Sequence, residues 1–233
     1  MNPYTAFQVA RLPEIRFGSG TLDELPEIAA DYGRDLLLVT GARSLQQTPR
    51  WSRLLDGLSQ HGMRWQQVVV NGEPSPELVD SAVAAHRDSP IDAVVGVGGG
   101  SVLDAAKAIA GMLRSGDSVL NHLEGVGRGL PYQGPAVPFI AVPTTAGTGS
   151  EATKNAVLSR RGPSGFKKSF RDNRLVARVA IVDPSLLASC PKDLIAANGM
   201  DAFTQLLESY VSQRASPFTD ALAYSGLQAF SQG

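Results

Sequence analysis

Two short segments carry the residue types that hold a phosphorylated ligand. The first, Gly98-Gly99-Gly100-Ser101-Val102-Leu103-Asp104-Ala105-Ala106-Lys107, follows the apolar run Ala93-Val94-Val95-Gly96-Val97 and leads into a helix-compatible stretch. Glycines let the backbone turn with positive φ and bring its N–H groups against a bound anion. The opening turn of the helix adds unpaired N–H donors and the positive end of the helix dipole. Ser101 and Asp104 have the i, i+3 spacing of a helix cap with an acidic partner. Together these residues make a cradle for a diphosphate. The pattern is neither G-x-G-x-x-G nor G-x-x-x-x-G-K-[ST], and a tight turn accounts for a glycine run equally well when the run stands alone.

The second segment, Pro143-Thr144-Thr145-Ala146-Gly147-Thr148-Gly149-Ser150-Glu151, follows another apolar run. Its three threonines and one serine offer hydroxyls to phosphate, ribose or a carboxamide. Open α/β sheets bind ligands outside the carboxyl ends of their strands, so both loops are expected to face one crevice, and a dinucleotide is the natural ligand. A solvated polar loop is the alternative for the second segment taken alone.

Five β-type runs surround these loops: Leu36–Thr40, Gln67–Val70, Ala93–Val97, Pro138–Val142 and Val179–Val182. Near-continuous apolar runs suit strands buried on both faces of a parallel sheet. Helix-compatible stretches fall between them at about 21–32, 49–61, 75–88 and 102–114, with Pro76 and Glu77 placed as in an opening turn. The alternation predicts a doubly wound, mostly parallel α/β sheet. Residues 154–171 hold a β-type run and a Gly-Pro-Ser-Gly turn, which predicts a small hairpin. After Pro184 only helices are expected, with Pro191 in one first turn and Ser216-Pro217 opening another. This divides the chain into an α/β domain over 1–184 and the beginning of an all-helical domain over 185–233. Phe218, Leu222, Leu227 and Phe230 form an apolar pattern that fewer than 50 helical residues cannot cover, so that domain is expected to be incomplete.

Composition narrows the partners. A formal net charge of −1 over 233 residues gives no electrostatic reason to expect nucleic acid or a membrane surface. Cys190 is the single cysteine, which excludes an intrachain disulfide and fits a reducing compartment. No signal-peptide core and no apolar stretch of about 20 residues is present, so a soluble cytoplasmic protein is expected.

The segments GGGSVLDAAK (98–107), VPTTAGTGSEAT (142–153), VAIVDPSL (179–186) and NGMDAFTQLLESYVS (198–212) resemble, in order, four signature segments of the iron-containing alcohol dehydrogenases. The resemblance extends over essentially the whole chain. It implies an NAD(P)-binding α/β domain, a helical domain holding a divalent metal (iron or zinc), and a small alcohol or aldehyde substrate. It also implies a dimer or larger homo-oligomer. Matched residue by residue, it gives Gly98, Gly99, Gly100 and Ser101 to the pyrophosphate, with Asp104 in the same cofactor-binding loop. Thr144, Thr145, Thr148 and Ser150 go to the nicotinamide and its ribose. Lys167 falls at a cofactor-contacting lysine, in a register that Lys168 leaves open by one, and Asp201 at the first metal ligand. No catalytic acid or base is assigned.

Two departures matter. Many NAD-specific members carry an aspartate after the first strand, where this chain has Gly41, with Arg43 two residues on. Losing the carboxylate removes repulsion toward a 2′-phosphate, and a guanidinium binds one bidentately. NADP is therefore favoured over strict NAD. At the metal, the family's histidine four residues after Asp201 is Gln205, a neutral oxygen donor. His61, His86 and His122 match no family ligand. The reaction expected is reversible hydride transfer between an alcohol and its aldehyde or ketone. The alternatives are a metal-independent reductase similar to maleylacetate reductases and a non-catalytic nucleotide-binding fragment.

Overall fold

The computed structural model describes residues 6–42 and 45–232. Two compact units divide the chain. The larger comprises 11–145 and 150–189. The smaller gathers Cys190–Gly233 with Ala146–Gly149 and the described part of Met1–Ala10. The division thus falls at Ser189/Cys190, not at the expected 184/185, and the segment 146–149 lies in the smaller unit.

In the larger unit a six-stranded sheet runs, edge to edge, β1 (Glu14–Phe17), β8 (Val179–Val182), β5 (Phe139–Pro143), β4 (Ala93–Gly98), β2 (Asp35–Gly41) and β3 (Arg64–Val70). Every neighbouring pair is parallel. The apolar runs explain the burial on both faces. In β2, Leu37 and Val39 join one core, with Val94 of β4 and Phe139 of β5. Leu36 and Leu38 join the other, with Val95 and Ile140. Successive side chains of a strand point to opposite faces, so a run of four aliphatics fills both.

Helices cover each face. α1 (Leu25–Ala30) and α2 (Pro49–Gln60) contribute Leu25, Ala29, Leu54 and Leu58 to the second core. α3 (Pro76–His86) and α4 (Gly100–Met112) contribute Val79, Val83, Leu103 and Ile109 to the first. Ser75 caps α3, its Oγ accepting from the N–H of Leu78 at 3.2 Å, with Pro76 in the first turn. The hairpin forms as β6 (Asn155–Arg160) and β7 (Phe166–Arg171), an antiparallel pair outside the main sheet. Gly162 turns it at φ +107°.

β1 carries no signal in the sequence. Its four residues, EIRF, are all exposed, and it exists because β8 offers a parallel edge in the register Glu14↔Val179. Asp183, just past β8, fastens the segment that follows β1. Its carboxylate accepts from the N–H groups of Gly20 (3.0 Å), Leu22 (3.3 Å) and Ser185 (3.0 Å) and from the Ser185 hydroxyl at 2.6 Å. Burial raises the Asp183 pKa, but these hydrogen bonds outweigh it and hold the carboxyl below the usual carboxylate range. Asp183→Ala is therefore expected to lower stability by about 2 kcal/mol in urea unfolding at pH 7, because it orphans buried donors. A depressed folded pKa contributes stability fully above the unfolded value of about 3.9 and loses it as pH falls through the folded value. The gap between wild type and variant should accordingly shrink below about pH 4.

In the smaller unit α5 (Lys192–Tyr210) pairs with α6 (Pro217–Gln232). Ser216 and Thr219 cap α6 reciprocally, each side-chain oxygen accepting from the other's N–H. Phe203 stacks on Phe230 at 5.2 Å, and a Cβ on Gly226 would stand 2.6 Å from Leu206. Leu194, Met200, Leu207, Val211 and Leu222 remain exposed. No helix of the described residues is long and apolar enough to cross a membrane.

Candidate cofactor-binding site

The sheet order creates the site. From β2 the chain crosses to β3 on one side; from β4 it crosses to β5 on the other. Between β2 and β4 the winding reverses, and a crevice opens outside the carboxyl ends of the strands at such a reversal. β2 ends at Gly41 and β4 at Gly98. Gly41 lies against the first turn of α4, since a Cβ there would meet Val102 at 3.7 Å.

Gly98 is required by close approach, and Gly99 lies close to the second loop. A Cβ on Gly98 would stand 2.6 Å from the Val102 side chain, and one on Gly99 would stand 3.2 Å from Thr145 Oγ1. Gly99 is the N-cap of α4, and its carbonyl accepts from Val102 and Leu103. No side chain caps this helix. The N–H groups of Gly100 and Ser101 have no acceptor among the described residues, so within those residues the helix opens with unpaired donors. The expected Ser101–Asp104 cap does not form. Ser101 already lies within the first turn, and Asp104 accepts instead from the hydroxyl of Ser150.

The two loops meet as expected at Thr144 and Thr145. Gly98 pairs with Pro143 across β4 and β5, and the Thr144 N–H donates to the Gly98 carbonyl at 2.9 Å. The rest of the second loop departs from the expectation. Thr148 belongs to the 146–149 segment of the smaller unit. Ser150 is buried, and its hydroxyl and carbonyl serve the interior of the larger unit. Lys167, on β7, extends into solvent and pairs with Glu73 at 2.9 Å. Arg43 lies outside the described residues.

One residue of this region escaped the reading of the sequence. Lys107 on α4 is fully buried. Its Nζ donates to the carbonyls of Ser150 and Asn155, both at 2.7 Å, to Thr153 Oγ1 at 3.2 Å and to Ser150 Oγ at 3.3 Å. Asp104 Oδ1 lies 3.9 Å away. Burial lowers the Lys107 pKa to about 8, with Asp104 and Glu151 opposing the shift. Burial likewise raises the Asp104 carboxyl. The signal was available, because Lys107 is flanked by Ala105, Ala106, Ala108, Ile109 and Ala110.

The candidate metal residues lie in the smaller unit. Asp201 and Gln205 share one face of α5, and both are exposed. Gln205 Nε2 donates to the Gly147 carbonyl at 3.2 Å. Among the described residues no group of three or more His, Cys, Asp or Glu side chains is placed to hold an ion. A carboxylate and a neutral amide fall short of the three protein ligands of a catalytic zinc site. These residues therefore do not complete a metal centre. The histidines are engaged elsewhere, His61 at Gly57, His86 at Gln66 and His122 at Leu130.

With this geometry established, known proteins give a consistent answer. The family model of the iron-containing alcohol dehydrogenases matches residues 13–184. Long-chain-alcohol dehydrogenase 1 of Geobacillus thermodenitrificans is 39% identical over 230 residues, 96% of this chain and 57% of the relative. The probable alcohol dehydrogenase EutG of Escherichia coli is 36% identical over 213 residues, covering 90% of this chain and 52% of its own length. The crystal structure of NADH-dependent butanol dehydrogenase A from Thermotoga maritima superposes with a TM-score of 0.88 at 28% identity, covering 98% of this chain and 57% of that one. The chain belongs to the iron-containing alcohol dehydrogenase family. It spans a little over half the length of these relatives.

Proposed function

We propose that the larger unit binds NAD(P) at the reversal between β2 and β4 for an oxidoreductase that interconverts a small alcohol and its aldehyde or ketone. The observation that carries this reading is the uncapped start of α4 next to Gly98, whose Cβ position is already taken, and Gly99, which lies close to Thr145. A diphosphate would accept from the Gly100 and Ser101 N–H groups, and the helix dipole favours its charge. Thr144 and Thr145 stand on the adjoining strand end as hydroxyl donors for the rest of the cofactor. When bound, the nicotinamide supplies or accepts the hydride. The residues of this chain hold and orient it; none is assigned as acid or base.

Gly41 supports NADP over strict NAD, because the end of β2 presents no carboxylate to repel a 2′-phosphate. Arg43 is proposed as the group that binds that phosphate. The Thermotoga relative is NADH-dependent by name, which makes NAD the competing choice. Asp201, with Gln205, is our candidate contribution to an iron or zinc site, and no step of the reaction is drawn through a metal. A metal-independent reductase is the second reading, favoured by Gln205 in the place of a histidine and by its bond to Gly147. We further propose a cytoplasmic homo-oligomer.

Titrating the chain with NADPH and NADH, followed by cofactor fluorescence, tests the reading. Saturable binding is expected, with NADPH tighter by about tenfold if a charge-assisted contact to the 2′-phosphate is made. Tighter NADH would overturn the NADP preference alone. A folded chain that binds neither would overturn the dinucleotide site.

A further inference from the structure

We propose that Lys107, with Asp104 and Ser150, forms a buried clamp that sets the position of the Thr144–Thr145 strand end over the glycine loop, making Lys107 a positioning residue for the dinucleotide. The proposal rests on the reading of the site given above.

The connectivity carries the argument. α4 begins at the glycine loop and, one and two turns later, presents Asp104 and Lys107 on one face, three residues apart. The chain leaves β5 through Thr144 and Thr145 and re-enters the larger unit at Ser150, where it meets these two side chains. The donor count closes. Ser150 Oγ gives its proton to Asp104, which leaves its lone pairs for Lys107. The three Lys107 protons then serve the Ser150 carbonyl, the Asn155 carbonyl and, shared, the two hydroxyl oxygens of Ser150 and Thr153. One ammonium thus ties residues 150, 153 and 155 to the helix whose first turn receives the diphosphate. Thr145 lies close to Gly99, its Oγ1 3.2 Å from where a Cβ would stand, so the two loops are nearly in contact. A shift of the strand end by a fraction of an ångström therefore changes the space between the loops.

Asp104 and Glu151 are the acidic groups facing Lys107, and Lys167 acts on Asp104 from β7. Asp104 and Lys107 are the charged pair of the clamp itself. As the pH rises through about 8 the ammonium loses its charge, and the bonds to the two carbonyls lose their charge assistance.

The test uses the full chain and the reduced dinucleotide that wild type binds more tightly. Wild type comes first: failure to bind would refute the site and not the clamp. With binding established, Lys107→Met, checked for folding by circular dichroism, is expected to raise Kd about tenfold, the effect of losing one charged hydrogen-bonding group. Between pH 7 and 9.5 the wild-type Kd should rise severalfold, while the Lys107→Met value stays flat at its weakened level. A lysine that merely filled space would leave no such pH dependence. A folded Lys107→Met that matches wild type in Kd and in profile overturns the proposal. If that variant does not fold, Ser150→Ala decides. It keeps both carbonyl contacts and removes the Asp104 link, and is expected to weaken binding about threefold, the lower range for a single hydrogen bond. An unchanged Kd in Ser150→Ala, or a flat wild-type profile, overturns the proposal equally.

Discussion

Gly99→Val is expected to abolish measurable dinucleotide binding while leaving the protein folded. Gly99 has φ −73° and ψ −178°, an extended conformation open to any residue, so the substitution introduces no backbone strain. Its Cβ would meet Thr145 Oγ1 at 3.2 Å and Cγ2 at 3.4 Å, contacts that a small rotation of that side chain relieves. The two γ-methyl groups have no such relief. On the proposed site they are expected to occupy the gap between the loops, where a diphosphate would approach the Gly100 and Ser101 N–H groups. Each hydrogen bond to a charged group contributes roughly 1.5 kcal/mol or more, so losing two corresponds to at least about a hundredfold in Kd. Calorimetric titration of wild type and variant, with thermal unfolding as the folding control, makes the comparison. A variant that binds within about threefold of wild type would place the diphosphate elsewhere.

Phe170→Ala is expected to cost about 4 kcal/mol of stability, the range for emptying a buried aromatic site. The ring is fully buried on β7 and meets Tyr132 edge-on at 5.1 Å and His122 at 5.9 Å. It also fills the space above Gly111 of α4, where a Cβ would stand 2.9 Å from the ring. Removing it leaves a cavity beneath the hairpin and loosens Tyr132, whose hydroxyl donates to the Gly111 carbonyl at 2.6 Å. Phe17, 72% exposed on the edge strand β1, is the control. Its replacement by alanine should stay within about 0.5 kcal/mol. Chemical denaturation of both variants measures the difference. Equal costs would show that the hairpin does not share the core of the larger unit.

The sheet was legible because its strands are buried on both faces. Runs such as Leu36–Val39 and Ala93–Val97 must be apolar throughout, and they are short, β-branched or leucine-rich and bounded by turn residues. β1 was hidden for the converse reason. At the sheet's edge, with every residue exposed, it needs nothing from composition, and its existence depends on a partner far along the chain. The meeting of the glycine loop with Thr144–Thr145 could be anticipated because close approach restricts side-chain size and strand ends gather at one rim. The roles of Asp104 and Ser150 could not be read the same way. A carboxylate three residues after a serine has the spacing of a local cap, but a buried ammonium at Lys107 offers it and Ser150 a stronger, nonlocal arrangement. Spacing reports only neighbours within one element. Lys167 shows the same limit, since its Glu73 partner comes from a turn that no motif includes.

The pairing of β1 with β8 has a consequence for how the protein is made. Arg11, just before β1, gives its guanidinium to the Val176 carbonyl at 2.6 Å, across 165 positions of sequence. Of the six strands of this sheet, β1 precedes the others in sequence and its only partner, β8, follows them all. At a synthesis rate of about 5–20 residues per second, Glu14–Phe17 waits on the order of ten seconds or longer for its template. Throughout that interval Ile15 and Phe17 belong to an unpaired strand whose backbone is available to chaperones and to neighbouring nascent chains alike. The four charged or polar residues nearest them, Arg11, Glu14, Arg16 and Ser19, then serve as solubilising gatekeepers. In the finished fold, the same Glu14 and Arg16 side chains merely pair with each other at the surface.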